Sequence, residues 1–230
     1  MDRTSSEGKD NTKISIVFFD LDRTLTAEIS GKAIIKMAWK KGFISIYDLL
    51  KAFYLYLLFR LSLRDPLTVI DDMVGWVRGK PEAELEKLCM DVSRGVLLPS
   101  VFRGAITEIN IHKRNDKKVF ILSSTLNYIC SAMSESLGMD GYICTSLEAE
   151  EGYLTGLPAG RLCYGQEKLN RLTGYCTENN INQSDIWYYS DSISDLPALS
   201  SVGNPVCVNP DRELKKEALK KGWKILYWQN

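Results

Sequence analysis

The sequence predicts an α/β fold, in which a doubly wound parallel sheet carries a small helical cap inserted after its first strand. Ile14–Phe19, a run of β-branched and aromatic residues, is typical of a strand buried inside a parallel sheet. Helical periodicity follows from residue 28 to residue 96, and strands then alternate with helices as far as residue 228. Alternation of this kind indicates a Rossmann-like core.

The pattern divides the chain into three parts. Residues 13–27 and 97–230 form the predicted core domain, and residues 28–96 form the predicted cap. Residues 1–12 are polar and contain no apolar run of the kind found in signal peptides or membrane spans. We expect these twelve residues to be a disordered lead-in.

The composition favours a globular protein and argues against several classes of partner. Of the 230 residues, 45% are apolar and 25% are charged, which suits one domain with an insertion. Basic and acidic residues number 29 each, so no excess of positive charge favours nucleic acid. The six cysteines form no C-x-x-C pair and lie mostly in apolar runs, which indicates reduced, buried thiols in a cytoplasmic protein. His112 lies near a predicted helix C-terminus, where the helix dipole favours a cation, and we assign it a structural role.

The core domain is predicted to contain further strands, helices and one hairpin. The predicted strands are Lys118–Ser123, Tyr142–Thr145, Ile186–Ser190, Val206–Val208 and Trp223–Trp228. The predicted helices are Val101–Arg114, a helix ending near Leu137, Gln166–Glu178 and Asp211–Lys221. The segment Glu151–Gly156 has the glycine turns of a hairpin.

Four helices separated by Gly or Pro are predicted in the cap. They are Lys32–Lys41, Ile46–Leu63, Pro66–Arg78 and Pro81–Arg94. The second contains Ala52–Phe59, which is apolar on every face and too short to span a bilayer. Either this helix is the buried centre of a small bundle, or part of it contacts an amphiphilic substrate or a membrane surface.

Polar side chains follow the predicted strands at the carboxyl edge of the sheet. Three of them follow the first strand, one ends the second and two follow the Ile186–Ser190 strand: Asp20, Asp22, Thr24, Ser123, Asp191 and Asp195. Because the carboxyl ends of parallel strands meet at one edge, we expect these side chains to converge. Lys168, near the start of its helix, can reach the same place.

This set of residues suits phosphoryl chemistry. Converging carboxylates repel one another unless one is protonated or a cation lies between them. Mg²⁺ prefers oxygen ligands and takes one or two carboxylates together with water and substrate phosphate. Asp20 and Asp191 are therefore candidate metal ligands, with Asp195 as an anchor behind them. A carboxylate can also attack phosphorus and form an aspartyl-phosphate, which makes Asp20 the candidate nucleophile.

The remaining polar residues have candidate roles in proton transfer and phosphate binding. Asp22 would protonate the leaving alcohol and then take a proton from the hydrolytic water. The candidate phosphate-binding residues are Thr24, Ser123, Ser124 and Lys168.

Each of these residues also has a structural alternative. Ser123 could cap the helix that follows it, and Lys168 could be a solvated surface charge. The aspartates could be turn or capping residues. Their joint occurrence, in order and at strand ends, favours the catalytic interpretation over separate coincidences.

Four segments carry a resemblance to a known family. They are Phe-Phe-Asp-Leu-Asp-Arg-Thr-Leu-Thr (18–26), Val-Phe-Ile-Leu-Ser-Ser (119–124), Cys-Tyr-Gly-Gln-Glu-Lys (163–168) and Tyr-Ser-Asp-Ser-Ile-Ser-Asp-Leu-Pro (189–197). Together they resemble the haloacid dehalogenase-like hydrolase superfamily, in the branch that includes phosphoserine phosphatase. The resemblance covers residues 14–228 and is weakest in the cap.

The resemblance implies a phosphatase and a role for each matching residue. It implies that Asp20 is the nucleophile and that Asp22 is the general acid and base. Ser123 and Lys168 would then bind the phosphate, and Asp191 and Asp195 would belong to the metal site. It also implies that the metal takes the backbone carbonyl of Asp22. An acid at this position argues against a dehalogenase, which lacks one there.

Two departures from the phosphoserine phosphatase pattern concern the substrate. Those enzymes usually carry Ser-Gly-Gly where this chain has Ser123, Ser124 and Thr125. They also carry a cap glutamate nine residues after the nucleophile, as a partner for the substrate amino group. Here that position is Ile29, and Glu28 lies one residue short. A lipid-headgroup phosphate such as phosphatidylglycerophosphate therefore stays open beside a phosphoserine-like substrate.

The sequence thus predicts a cytoplasmic, Mg²⁺-dependent phosphatase that hydrolyses a small phosphomonoester through an aspartyl-phosphate on Asp20. The alternatives are a phosphotransferase or mutase of the same fold and a non-catalytic regulatory binding protein. The paired nucleophile and acid argue against the last, since a pure binder needs neither. Contact of the cap with a membrane surface or an amphiphilic substrate stays open.

Overall fold

The central sheet of the computed structural model has six strands, and helices cover both of its faces. The structure describes residues 15–48, 50, 54, 57 and 75–229. The predicted lead-in and most of the segments Ala52–Phe59 and Pro66–Arg78 lie outside the described residues. No helix among the described residues is long and apolar enough to cross a membrane.

The sheet strands all pair in parallel with their neighbours. They are β1 Ile16–Phe19, β2 Lys118–Leu126, β3 Gly141–Thr145, β6 Trp187–Ser190, β7 Asn204–Val208 and β8 Lys224–Leu226. Their order is β3-β2-β1-β6-β7-β8, so β1 lies in the middle. A separate antiparallel hairpin consists of β4 Leu147–Glu150 and β5 Tyr153–Pro158. The predicted parallel sheet and the predicted hairpin are confirmed.

Most of the helices agree with the sequence prediction, although one short helix was not predicted. Those with both ends described are α1 Ser30–Lys40, α2 Glu82–Val92, α3 Arg103–Arg114, α4 Asn127–Ser136, α5 Gln166–Glu178, α6 Leu196–Ser201 and α7 Arg212–Lys221. The helix predicted over Pro81–Arg94 has different bounds in the structure. Its α-helical part, α2, ends at Val92, and a π-helical turn follows over Ser93–Leu97. The described end of Pro66–Arg78 holds one 3₁₀ turn, Gly75–Val77.

The side chains of β1 alternate between two apolar clusters, which explains why the sheet is doubly wound. Val17 and Phe19 belong to a cluster that includes residues of α3 and α4. Ile16 and Phe18 belong to a second cluster with residues of α5, α6 and α7. A strand buried on both faces needs an unbroken apolar run, as this one has. The described cap helices α1 and α2 join the first cluster, and the division into cap and core domains stays a prediction.

A buried polar group away from the carboxyl edge of the sheet centres on His112. Its side chain is 4% exposed, and Nε2 lies 2.8 Å from the hydroxyl of Tyr189, which donates to Glu108. Burial, together with Lys117, lowers the pKa of His112 to about 4. His112 is therefore neutral at pH 7, and the expected cation at the helix C-terminus is wrong because desolvation outweighs the helix dipole.

The lowered pKa of His112 predicts a specific loss of stability in mild acid. Between about pH 6.5 and about pH 4, His112 binds a proton in the unfolded chain but not in the folded chain. The free energy of unfolding therefore falls as the pH falls. We expect this residue to lower that free energy by about 2 kcal/mol between pH 7 and pH 5. The measurement is urea unfolding of wild type and His112→Gln at both pH values, since every other titrating group is common to the two. Parallel pH curves would contradict a neutral, buried His112.

The six cysteines agree with the prediction from their apolar surroundings. All of them are free and buried: Cys89, Cys130, Cys144, Cys163, Cys176 and Cys207. Burial raises the pKa of the thiols that show a resolved shift, Cys163 to about 12 among them. A thiol with a raised pKa is a poor nucleophile, so we assign these residues a role in packing the core rather than in catalysis.

Candidate active site

Asp20 is delivered to the carboxyl edge of the sheet by the central strand. Its N–H donates to the carbonyl of Tyr189 at 2.9 Å, which continues the pairing of β1 with β6 by one residue. The side chain is 6% exposed. The carboxylate therefore lies where parallel sheets bind ligands, on a strand that is paired on both sides.

Lys168 reaches this carboxylate from the first turn of α5. Gly165 precedes that helix with φ 55° and ψ −120°, a conformation that glycine adopts readily. The Lys168 side chain is buried, and its Nζ donates to Asp20 Oδ1 at 2.8 Å and to Asp195 Oδ2 at 2.7 Å. The alternative of a solvated surface lysine is therefore wrong.

Asp195 is held by several donors on one of its two oxygens. Besides Lys168, the hydroxyls of Tyr188 and Ser190 donate to Oδ2 at 2.6 and 2.7 Å. The other oxygen, Oδ1, is buried and has no hydrogen-bond partner among the described residues. An unpaired buried carboxylate oxygen is costly, so this atom marks a place where a cation or a donor fits.

The loop from Asp191 to Asp195 is anchored by a different aspartate. Asp211 Oδ2 accepts from the N–H of Ile193 at 2.8 Å, and Oδ1 accepts from the first turn of α7. The Asp211 N–H donates to the carbonyl of Asp191 at 2.8 Å. Capping is thus the task of Asp211, and the side chains of Asp191 and Asp195 cap no helix in the described part of the chain.

Three acidic side chains interact electrostatically with the buried ammonium group of Lys168. Burial raises the pKa of Asp20 and raises that of Asp191 to about 8, where repulsion from Asp20 and Asp195 adds to it. Burial alone would lower the pKa of Lys168, but Asp195 and Asp20 outweigh it and raise that pKa well above its usual range. The two carboxylates therefore favour the charged form of Lys168.

These residues fit a divalent cation. Lys168 is shared by the buried carboxylates of Asp20 and Asp195, the acidic side chain of Asp191 lies near enough to interact with both, and Asp195 Oδ1 has no partner among the described residues. Within the described ranges, no three His, Cys, Asp or Glu side chains are grouped closely enough to hold a metal ion alone. Mg²⁺ does not need such a cage, because it keeps several waters and takes substrate phosphate as a ligand.

Asp22 lies two residues beyond Asp20 and faces the cap. Its Oδ1 accepts from the N–H of Ser30 and its Oδ2 from the Ser30 hydroxyl, each at 2.8 Å. Burial raises the pKa of Asp22 to about 6, and the Ser30 N–H works against that rise. A carboxyl group with a pKa near 6 retains its proton closer to neutral pH than an ordinary aspartate does.

Three of the predicted phosphate-binding residues are less well connected to Asp20 than Lys168 is. Ser123 is buried on β2, beyond the last residue pair of the β1–β2 register, and Ser124 is exposed. The Thr24 hydroxyl is buried without a hydrogen-bond partner in the described part of the chain. No hydrogen bond described joins these three side chains to Asp20 or Lys168. Helix α4 begins at Asn127 without a side-chain cap, so Ser123 is not its capping residue.

Several residues of the site were missed from the sequence. Tyr188 and Ser190 occupy alternate positions of β6 and therefore share one face, a period-2 signal that could have found them. Arg23, directly after Asp22, adopts φ 61° and is exposed, and its charge opposes the rise in the pKa of Asp191. Ser30 has no such local signal.

Comparison with known proteins agrees with this arrangement. A family model described as haloacid dehalogenase-like hydrolase matches residues 17–200. A probable phosphatase of Mycobacterium tuberculosis strain H37Rv is 32% identical over 216 residues, which cover 91% of this chain and 74% of that protein. A phosphoserine phosphatase of the same strain is 25% identical over 212 residues, which cover 90% of this chain and 69% of that protein.

A solved structure shows the same fold over almost the whole chain. A protein of unknown function from Bordetella pertussis Tohama I superimposes with a TM-score of 0.85 at 21% identity. The match covers 94% of this chain and 99% of that one.

Proposed function

Because this chain belongs to the haloacid dehalogenase-like hydrolase family, we propose that it is a Mg²⁺-dependent phosphatase acting through an aspartyl-phosphate on Asp20. The observation that carries the proposal is the buried array of Asp20, Lys168 and Asp195 at the end of the central strand. A nucleophilic carboxylate needs a cation that neutralises the approaching phosphate, and Lys168 is one, held 2.8 Å from it.

The proposed reaction has two displacement steps at phosphorus. The Asp20 carboxylate attacks, the bond between phosphorus and the leaving alcohol breaks, and Asp22 gives the alcohol oxygen a proton. Water then attacks the aspartyl-phosphate, Asp22 takes its proton, and inorganic phosphate leaves with Asp20 restored. Lys168 and Ser123 hold phosphoryl oxygens through both steps.

The divalent metal of this proposal has its ligands among the residues already described. Asp20, Asp191 and the backbone carbonyl of Asp22 would hold Mg²⁺, with Asp195 behind them. When bound, the metal would neutralise charge on the phosphoryl oxygens and relieve the repulsion among the three carboxylates. We further propose a cytoplasmic location, from the buried reduced cysteines, and no nucleic-acid partner.

The acid role of Asp22 predicts a dependence on the leaving group. Asp22→Asn should lower kcat by about 10²-fold or more for an alkyl phosphate, whose alkoxide is a poor leaving group. p-Nitrophenyl phosphate releases a stable phenolate without a proton and should lose much less. Steady-state kinetics with both substrates measure the difference. Equal losses for the two would remove Asp22 from proton transfer and leave it a structural role.

The substrate is proposed to be a phosphoserine-like molecule or an amphiphilic phosphomonoester. The phosphoserine phosphatase among the relatives supports the first. The second is favoured by four exposed apolar residues of the predicted cap, which we call the apolar stripe and each of which the structure describes as helical: Ile46, Leu50, Tyr54 and Leu57. Exposed apolar side chains at this spacing are suited to contact with an acyl chain or a membrane surface.

A phosphate-release panel with and without Mg²⁺ separates these candidates. It includes phosphoserine, phosphoethanolamine, sugar phosphates, nucleotides and short-chain phosphatidylglycerophosphate. Preference for phosphoserine would require a cap group to replace the missing glutamate, and Glu28 is the nearest in sequence. Preference for the lipid would make the apolar stripe a substrate surface. Transfer of phosphate to an added alcohol would identify a phosphotransferase. If no substrate released phosphate, the result would favour a non-catalytic regulatory binding protein.

A further inference from the structure

Ser30, the first residue of α1, binds both oxygens of the Asp22 carboxylate. Its N–H donates to Oδ1 and its hydroxyl donates to Oδ2, each at 2.8 Å. Two hydrogen bonds from one residue to the two oxygens of a carboxyl group fix its rotation about the bond to Cβ. The orientation of Asp22 is therefore set by one residue that lies eight positions along the chain.

A second hydroxyl supports Ser30 from the other side. The Oγ of Ser30 lies 2.8 Å from the Oγ1 of Thr125, on β2, and both side chains are buried, with exposures of 2% and 6%. Since the Ser30 hydroxyl proton points to Asp22, its oxygen is free to accept from Thr125. The order of donation is Thr125 to Ser30 to Asp22, and burial leaves little room for water to replace either hydroxyl.

We infer that Ser30, supported by Thr125, is the positioning residue that holds the Asp22 carboxyl group in place for proton transfer. The inference rests on the proposed function, because it concerns the acid of that reaction. The chain of hydroxyls ties Asp22 to the first helix of the cap and to a strand of the core at once. A proton donor must be held within hydrogen-bond reach of the leaving oxygen, so a small rotation of Asp22 is expected to affect the rate.

A purely structural role for Ser30 is the competing explanation. Helix α1 has no side-chain cap at Ile29 and no acidic residue in its first turn, so Asp22 also serves as the acceptor for its first N–H. That role would be carried by the Ser30 backbone and would survive loss of the hydroxyl. The two explanations differ in what removal of Oγ does to different substrates.

The test compares Ser30→Ala, Ser30→Thr and Thr125→Val with the control Ser93→Ala. Ser93 is also buried, and its hydroxyl donates to the carbonyl of Cys89 without touching the site. We expect Ser30→Ala to lower kcat for an alkyl phosphate by about 10-fold or more and for p-nitrophenyl phosphate by less than about 3-fold, with little change in KM. Ser30→Thr, which keeps the hydroxyl, should restore most of the loss, and Thr125→Val should show a weaker form of it.

Equal losses on both substrates, or none on either, would overturn the inference while wild-type turnover leaves the proposed function standing. A wild type without turnover would instead reject the proposed function. Crystal structures of wild type and Ser30→Ala give a readout independent of turnover. The Asp22 carboxyl group should rotate or become disordered in the variant, and an unchanged orientation would count against Ser30.

Discussion

Asp20→Asn should lower kcat/KM at least about 10³-fold, because an amide oxygen does not attack phosphorus and form an acyl-phosphate. The replacement has the same shape and can still accept from Lys168. Burial, with repulsion from Asp195, raises the pKa of Asp20 despite the opposing effect of Lys168, so removing its charge should leave the free energy of unfolding unchanged or higher. Phosphate release and urea unfolding measure the two effects.

The matched control is Asp140→Asn at the opposite edge of the sheet. Asp140 accepts from the N–H of Val119 at 2.8 Å, at the start of β2 and away from the site. Its replacement should keep turnover within about 2-fold, as is usual for surface changes away from special features. Intact-mass measurement excludes deamidation of the introduced asparagine back to aspartate. Turnover of Asp20→Asn above about one-tenth of wild type would remove Asp20 as the nucleophile.

Lys168→Met should cost both turnover and stability. The methionine fills the space of the aliphatic chain, but Asp20 and Asp195 then face each other in a buried site without their shared cation. Leaving buried charges unpaired costs about 3–5 kcal/mol, and we expect a loss of that order in urea unfolding at about pH 8. Loss of the phosphate-binding cation should lower kcat/KM by at least about 10²-fold.

Two further variants make the Lys168 result specific. Lys220→Met removes a lysine whose side chain is 75% exposed, and its effect should stay below about 0.5 kcal/mol. Adding Asp195→Asn to Lys168→Met should recover part of the stability without recovering turnover, because one of the two unpaired carboxylates is gone. If Lys168→Met were as stable as Lys220→Met, the buried ion pairs described would be wrong.

The fold could be predicted well because its signals are local. The unbroken apolar run of β1 requires burial on both faces, and α5 begins at Gln166 and ends at Glu178, as its periodicity predicts. The predicted fold class, family and phosphatase class are confirmed. The predicted convergence of Asp20 and Asp195 follows from topology, since the ends of parallel strands share one edge, and Lys168 reaches that edge from the start of α5.

The missed features depend on contacts between distant parts of the chain. Ser30 and Thr125 are 95 residues apart, and neither carries a motif that pairs them. His112 was expected to be charged because the helix end is visible in the sequence, whereas its burial beside Tyr189 is not. The short helix α6 was missed because six residues are too few to show a period.

The double attachment of Asp211 connects the C-terminal region to the proposed active site without supplying any reacting group. The Asp211 carboxylate caps the first turn of α7 and also accepts a hydrogen bond from the backbone of the loop that carries Asp191. The position of Asp191, a proposed metal ligand, thus depends in part on a helix that starts at Arg212, well beyond the site in the chain. In engineering terms, we expect a fusion or truncation that loosens this helix to disturb the proposed active site as well as the helix.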